Sequence, residues 1–146
     1  MPYFLDTNVV TQLLKRNPRL VERYRNALER GEQVYLSAVV YYELKRELLR
    51  AKKSHGLNRL DSFVNAAPGR YLPLSDEALR LAAELWARSR QEGRPTAEST
   101  ALDIDVLIAA QVLSFGAAAS EVTVVTMNPK HLSRFTTAKY WNQILE

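Results

Sequence analysis

The chain has 146 residues, 47% of them hydrophobic and only five glycines, which excludes a disordered or low-complexity protein and suits one domain spanning residues 1–146. It has no cysteine and two histidines, His55 and His131, so disulfides, thiolate metal sites and a histidine-built zinc centre are all excluded. Twenty basic against sixteen acidic residues give a net charge of +4, which permits nucleic-acid binding without demanding it. The first apolar stretch is short and contains Asp6, and no run approaches the roughly 20 apolar residues of a membrane span. A cytoplasmic protein without a membrane partner is therefore expected.

Tyr3 to Leu5 reads as a short buried strand, followed by a helix from Val9 to Leu14. Asn17 and Pro18 form an N-cap and a proline at the first helical position. The next helix carries Leu20, Val21, Tyr24, Ala27 and Leu28 at helical spacing, and Gly31 stops it. Gln33 to Leu36 is a second strand, and Ser37 caps a helix from about Val39 to Ala51. Lys52 to Gly56 is expected to be a connector, before a short helix through Leu57, Leu60, Phe63 and Val64. Arg70 to Leu74 reads as a third strand, and Ser75 as the cap of a helix with Leu79, Ala82, Ala83 and Trp86 on its buried face. A polar loop from Gly93 to Leu102 leads to a helix that Asp103 is expected to cap and that ends near Gly116. Thr123 to Thr126 is a fourth strand, Asn128 and Pro129 open a helical turn, and Tyr140 and Trp141 close the chain. Strands separated by helices imply right-handed βαβ units, hence an α/β fold whose mostly parallel sheet of four to five strands lies between helices on both faces.

Three acids stand where acids are costly. Asp6 ends the first strand, Glu43 interrupts the apolar stretch Val39 to Leu44, and Asp105 interrupts Ile104 to Ala110. Each has an ordinary explanation: Asp6, with Asn8, as a helix cap; Glu43 as a solvent edge; Asp105 as a charge favoured near a helix N-terminus. Together they are better explained by a shared divalent cation, since converging carboxylates repel one another unless neutralised. With oxygen as the only donor on offer, that cation would be Mg2+ or Mn2+. Asp6 and Asn128 each follow a predicted strand directly, and all these residues can face the carboxyl pole of the sheet.

Four ordered segments, Phe4 to Asn8, Leu36 to Leu44, Asp105 to Ala110 and Val124 to Asn128, together with Gly93-Arg94-Pro95 and Trp141, resemble the PIN domain family, and within it the VapC-type toxins. The resemblance spans nearly the whole chain. It implies a three-layer α/β/α domain, a metal-dependent endoribonuclease leaving a 5′-phosphate and a 3′-hydroxyl, and silencing by a VapB-like antitoxin. By the resemblance, Asp6, Glu43 and Asp105 hold the metal, while Thr7, Asn8 and Thr126 support it or its water. Where relatives carry a fourth acid before Phe, this chain has His131 before Leu132, which leaves a second metal in question; Asn128 is a neutral substitute, Asp103 a charged one that helix period turns about 200° from Asp105 and so suits a cap better, and His131 a substrate contact or surface residue.

Hydrolysis of a phosphodiester needs an activated water, neutralised phosphoryl oxygens and a stabilised leaving oxygen, all within the reach of a carboxylate-held cation. Lys45, Arg46, Arg50, Lys52 and Lys53 follow Glu43 closely enough to lead RNA phosphates toward it, or else form a solvated helix face. Tyr41 and Tyr42 are candidates for base stacking, with core packing expected of at least one. Leu13, Leu14, Leu48 and Leu49 exceed what a small core needs, which points to an antitoxin groove or a homodimer surface. A haloacid-dehalogenase-like phosphotransferase would need an acid at position 8, where Asn8 stands, and a phosphate-accepting receiver would need paired N-terminal acids. The remaining rival is a PIN-like interaction protein that binds RNA or a partner without cleaving.

Overall fold

A computed structural model describes residues 2–92, 99–115, 122–127, 129–133 and 135–140. Its elements are β1 (Pro2–Leu5), α1 (Thr7–Leu14), α2 (Pro18–Glu29), β2 (Gln33–Ser37), α3 (Ala38–Arg50), α4 (Ser54–Ala66), β3 (Tyr71–Leu72), α5 (Asp76–Gln91), α6 (Ser99–Leu113), β4 (Thr123–Thr126), α7 (Pro129–Leu132) and β5 (Ala138–Tyr140). All strand pairings are parallel, in the order β3-β2-β1-β4-β5. The chain builds outward from β1 through β2 to β3, then crosses back to build β4 and β5 on the other side. The order therefore reverses between β1 and β4, the place where open α/β sheets keep a crevice at their carboxyl ends.

Both faces of β1 are covered, so Phe4 and Leu5 are almost wholly buried. Phe4 meets Tyr35 and Phe115 at ring separations of 5.6 and 5.5 Å, the latter edge to face. α6 is apolar nearly all round because it serves two cores. Ile104, Ile108 and Val112, four residues apart, pack with the sheet, while Val106, Ala109 and Ala110 pack against Ala82 and Leu85 of α5.

Several local expectations are corrected. α6 starts at Ser99, so Asp103 lies inside the helix, exposed, and does not cap it. α4 starts at Ser54, inside the expected connector, with no side chain capping it. In its first turn Gly56 lies where a Cβ would come within 2.6 Å of the Leu48 side chain, so the helix approaches α3 closely there. The third strand shrinks to Tyr71–Leu72 behind a turn of 3-10 helix at Pro68–Arg70. The buried residues of α5 are Ala78, Ala82, Leu85 and Ser89, so Leu79 and Ala83 of the expected face are exposed. Leu13 belongs to the core and Leu14 and Leu48 are half-buried, leaving only Leu49 exposed among the four leucines expected in surplus. The fifth strand, β5, pairs with β4 although its sequence carries no strand pattern of its own. Gly93 to Pro95, Gly116 and Trp141 lie outside the described residues.

Gln111 is a buried polar residue whose job was not visible in the sequence. Its Nε2 donates to the carbonyls of Leu72 (3.0 Å) and Pro73 (3.2 Å), fastening α6 to the end of β3. Gln111→Leu removes both hydrogen bonds, but Pro73 is exposed and the buried Gln111 Oε1, which has no protein partner among the described residues, is lost with them, so the expected cost is about 1 kcal/mol. Urea unfolding should show this as a lower midpoint with an unchanged slope.

Candidate active site

Register builds the centre of the site. Leu5 pairs with Val125, and the Asp6 N–H donates to the Val125 carbonyl at 2.9 Å. The next residues, Asp6 and Thr126, therefore emerge side by side at the carboxyl ends of β1 and β4. Thr126, fully buried, donates its hydroxyl to Asp6 Oδ2 at 2.7 Å, while Asp6 Oδ1 accepts from the Thr7 N–H at 2.8 Å as the cap of α1. Asn8 Nδ2 donates to Thr126 Oγ1 at 3.4 Å, and Asn8 Oδ1 accepts from the Met127 N–H at 3.1 Å. The cap reading of Asp6 and the functional one are thus compatible, since one carboxylate oxygen caps and the other is held by Thr126.

Glu43 and Asp105 reach the same pole by the logic of crossovers. Helices return antiparallel to the strands, so the first turns of α3 and α6 lie at the strands' carboxyl ends. Both acids sit one turn further along, in the second turns of α3 and α6. The consequence is electrostatic. The carboxyl of Asp105 is pushed up to about 7, first by burial and then by the charges of Asp6 and Glu43. Burial likewise raises Asp6, opposed by its hydrogen bonds from Thr126 and Thr7. The structure therefore brings Asp6, Glu43 and Asp105 into one field. Among the described residues, no three acidic or histidine side chains converge as a ready cage for a cation. Glu43 instead leans toward Arg46, with 4.0 Å between Oε2 and the guanidinium.

The donor set suits a hard cation. The three acids offer only oxygen, their mutual repulsion is a charge excess that two positive charges would relieve, and the nearby Thr7 hydroxyl is buried with no protein partner among the described residues. The backbone of His131 lies in α7. Asn128 lies outside the described residues.

The expected basic track divides. Lys45 donates to the Tyr41 hydroxyl at 2.9 Å and stands 4.0 Å from Asp61, and Arg50 pairs with Glu47 at 2.7 Å. Lys52 and Lys53 are exposed at the far end of α3, where they border a groove with Leu14, Leu44 and Leu48 on its floor. Of this track, only Arg46 touches the acidic cluster. Tyr41 is packed edge to face on Tyr71 and bonded to Asp61, whereas Tyr42 is exposed.

A parallel sheet with acids gathered where its strand order reverses defines an α/β protein with an acidic centre of the kind that serves phosphate hydrolysis. The PIN domain family matches residues 3–135, and the chain belongs to that family. Ribonuclease VapC1 of Haemophilus influenzae is 25% identical over 137 residues, covering 93% of each chain. VapC ribonuclease Y4jK of Sinorhizobium fredii is 38% identical over 96 residues, 62% of this chain and 68% of that one. The crystal structure of VapBC2 from Rickettsia felis, bound to a DNA fragment from its promoter, has a similar fold, with a TM-score of 0.73 at 23% identity over 97% of this chain and 99% of that one.

Proposed function

We propose that the protein is a metal-dependent endoribonuclease acting as the toxin of a VapBC-type pair, with Asp6, Asp105 and Glu43 as its metal-holding and catalytic residues. The observation that carries this reading is the gathering of the three acids at one pole, where burial first and then the charges of Asp6 and Glu43 push Asp105 up to about 7. Supporting it are the family membership and the similarity to VapC ribonucleases along nearly the whole chain. No helix among the described residues is long and apolar enough to cross a membrane.

Mg2+ or Mn2+ bound by these acids supplies charge neutralisation on the phosphoryl oxygens and a more acidic water. Asp6 is the fixed point of the site, because Thr126 and the α1 N-terminus lock its orientation. Asp105 must give up its proton for the site to bind a cation, so affinity falls below about pH 7. Glu43 leaves Arg46 to join the site or to orient the attacking water. Thr7 and Asn8 complete the polar wall around that water, with Asn128 as a further neutral donor. Lys45, Arg50, Lys52, Lys53 and His131 are proposed substrate contacts, of which Lys45 and Arg50 must first leave their present partners.

The proposed partner is a VapB-like antitoxin, and the proposed state is a homodimer of single-domain chains working in the cytoplasm. Purified, partner-free protein incubated with end-labelled tRNA and single-stranded RNA in Mn2+, Mg2+ or EDTA tests the reading. Discrete cuts in either metal, absent in EDTA, are expected. RNA bound but uncut in both metals would favour the non-cleaving interaction protein.

A further inference from the structure

Large apolar side chains that stay exposed in a small protein are informative when they gather. Five are exposed among the described residues: Tyr42, Leu49, Leu79, Met127 and Tyr140. Three of them border the acidic cluster. Tyr42, 58% exposed, precedes Glu43; Met127, 41% exposed, follows Thr126; and Tyr140, 45% exposed, pairs in register with Thr126.

Tyr42 is the best placed, because helix geometry gives it a cationic companion. Residues three and four apart share a helix face, so Arg46 neighbours both Glu43 and Tyr42. Its guanidinium lies 5.3 Å from the centre of the Tyr42 ring and 4.0 Å from Glu43 Oε2. A ring, a cation and a site carboxylate thus stand in sequence along one turn of α3. Once Glu43 turns to a cation, Arg46 keeps its stack on Tyr42 and gains a free charge beside the site. An aromatic face next to a guanidinium, a short step from a phosphodiester-cleaving centre, matches one nucleotide: base on ring, phosphate on cation.

We infer that Tyr42 and Arg46 form a nucleotide clamp, in which the Tyr42 ring stacks an unpaired base adjoining the scissile phosphate and Arg46 holds the neighbouring phosphate oxygen. This rests on the ribonuclease reading for its location. The clamp positions substrate and takes no part in bond breaking. It therefore acts on substrate binding, and substrate affinity is where its loss is felt.

The test separates the clamp from the chemistry. Binding is measured on the wild-type chain with Ca2+ in place of Mg2+ or Mn2+, a hard cation that takes the same oxygen ligands and is scored beforehand for absence of cleavage, using short single-stranded RNAs with 2-aminopurine at successive positions and matching RNAs with an abasic residue there. At one position, stacking should quench the fluorophore. Tyr42→Ala should abolish that quench and weaken binding about 5- to 150-fold, the range of a single base-on-aromatic stack. Tyr42→Phe should preserve both, and the abasic RNA should bind the parent protein and the Tyr42→Ala variant alike. Arg46→Ala should weaken binding of intact and abasic RNA equally and flatten the salt dependence. Equal affinity of the Tyr42→Ala and parent proteins for intact RNA, or a quench that survives the substitution, overturns the clamp. Cleavage by the wild-type protein is scored separately: its absence overturns the ribonuclease reading, while the binding series still decides the clamp.

Discussion

Asp105→Asn is expected to make the metal-free protein more stable while abolishing metal-dependent cleavage. The carboxyl of Asp105 titrates near 7 in the fold against an ordinary 3.8, so folding favours its protonated form. At pH 4 and below, the fold carries almost no penalty. As pH rises from about 4 to about 7, the native state must ionise a half-buried group beside two other anions, and stability is lost; above 7 the loss is complete. The full shift corresponds to about 4 kcal/mol, and solvent screening of the partly exposed group reduces this to about 2 kcal/mol. Asparagine keeps the shape and discards the charge. Its melting temperature should match the wild type near pH 4 and exceed it by about 4–8 °C at pH 8 in EDTA. Saturating Mn2+ should narrow or reverse the difference, since the cation stabilises only the chain that can hold it. Cleavage should fall at least about 100-fold in the same variant, an effect of more than about 2.7 kcal/mol on the barrier. Equal melting curves at both pH values would remove the electrostatic basis for the site.

Such a gain in stability from losing a wild-type residue is the mark of a group kept for function at the expense of the fold. That tension is also why the site's outline was legible in the sequence. An acid inside Ile104 to Ala110 or Val39 to Leu44 breaks the pattern of its element, and Asp6 stands at a strand end, so each announces itself against an apolar background. The parallel sheet was legible for a related reason: short apolar runs separated by capped amphipathic segments admit few topologies.

What could not be read was whatever depends on a neighbour far along the chain. Gln111 looks like one polar residue in an apolar helix until Leu72 and Pro73 are placed beside it. β5 has no strand pattern of its own, and its place is set by pairing with β4 and by contact with α7. α6 starts four residues before Asp103 and so denies that residue the role of cap, a boundary that capping chemistry alone misplaces. The exposure of Leu79 on α5 has the same origin. Its helix is steered by contact with α6 at Ala82 and Leu85, and the buried stripe turns with it. In the site itself, the hydrogen bond from Thr126 to Asp6 required the register of β1 against β4 to be known.

Thr126→Val is expected to damage both stability and cleavage, more than its distance from any scissile bond suggests. The Thr126 hydroxyl donates to a carboxylate at 2.7 Å in a fully buried position, the geometry of a charge-assisted hydrogen bond, and accepts from Asn8 on its other side. Valine matches its shape but leaves Asp6 Oδ2 without its donor and Asn8 Nδ2 without its acceptor. The expected cost is about 2–3 kcal/mol at pH 7. Because that hydrogen bond favours the ionised form of Asp6, its removal raises the Asp6 carboxyl further, and metal binding should need a higher pH than in the wild type. Cleavage should fall about 10- to 100-fold at pH 7, the range for displaced residues that orient a metal ligand, and recover in part toward pH 8.5. Thr126→Ser, which restores the hydroxyl and removes only a methyl group, should regain most of the activity while staying less stable than the wild type by about 1 kcal/mol. A valine variant with the wild-type pH profile would show that Asp6 is oriented by the helix cap alone.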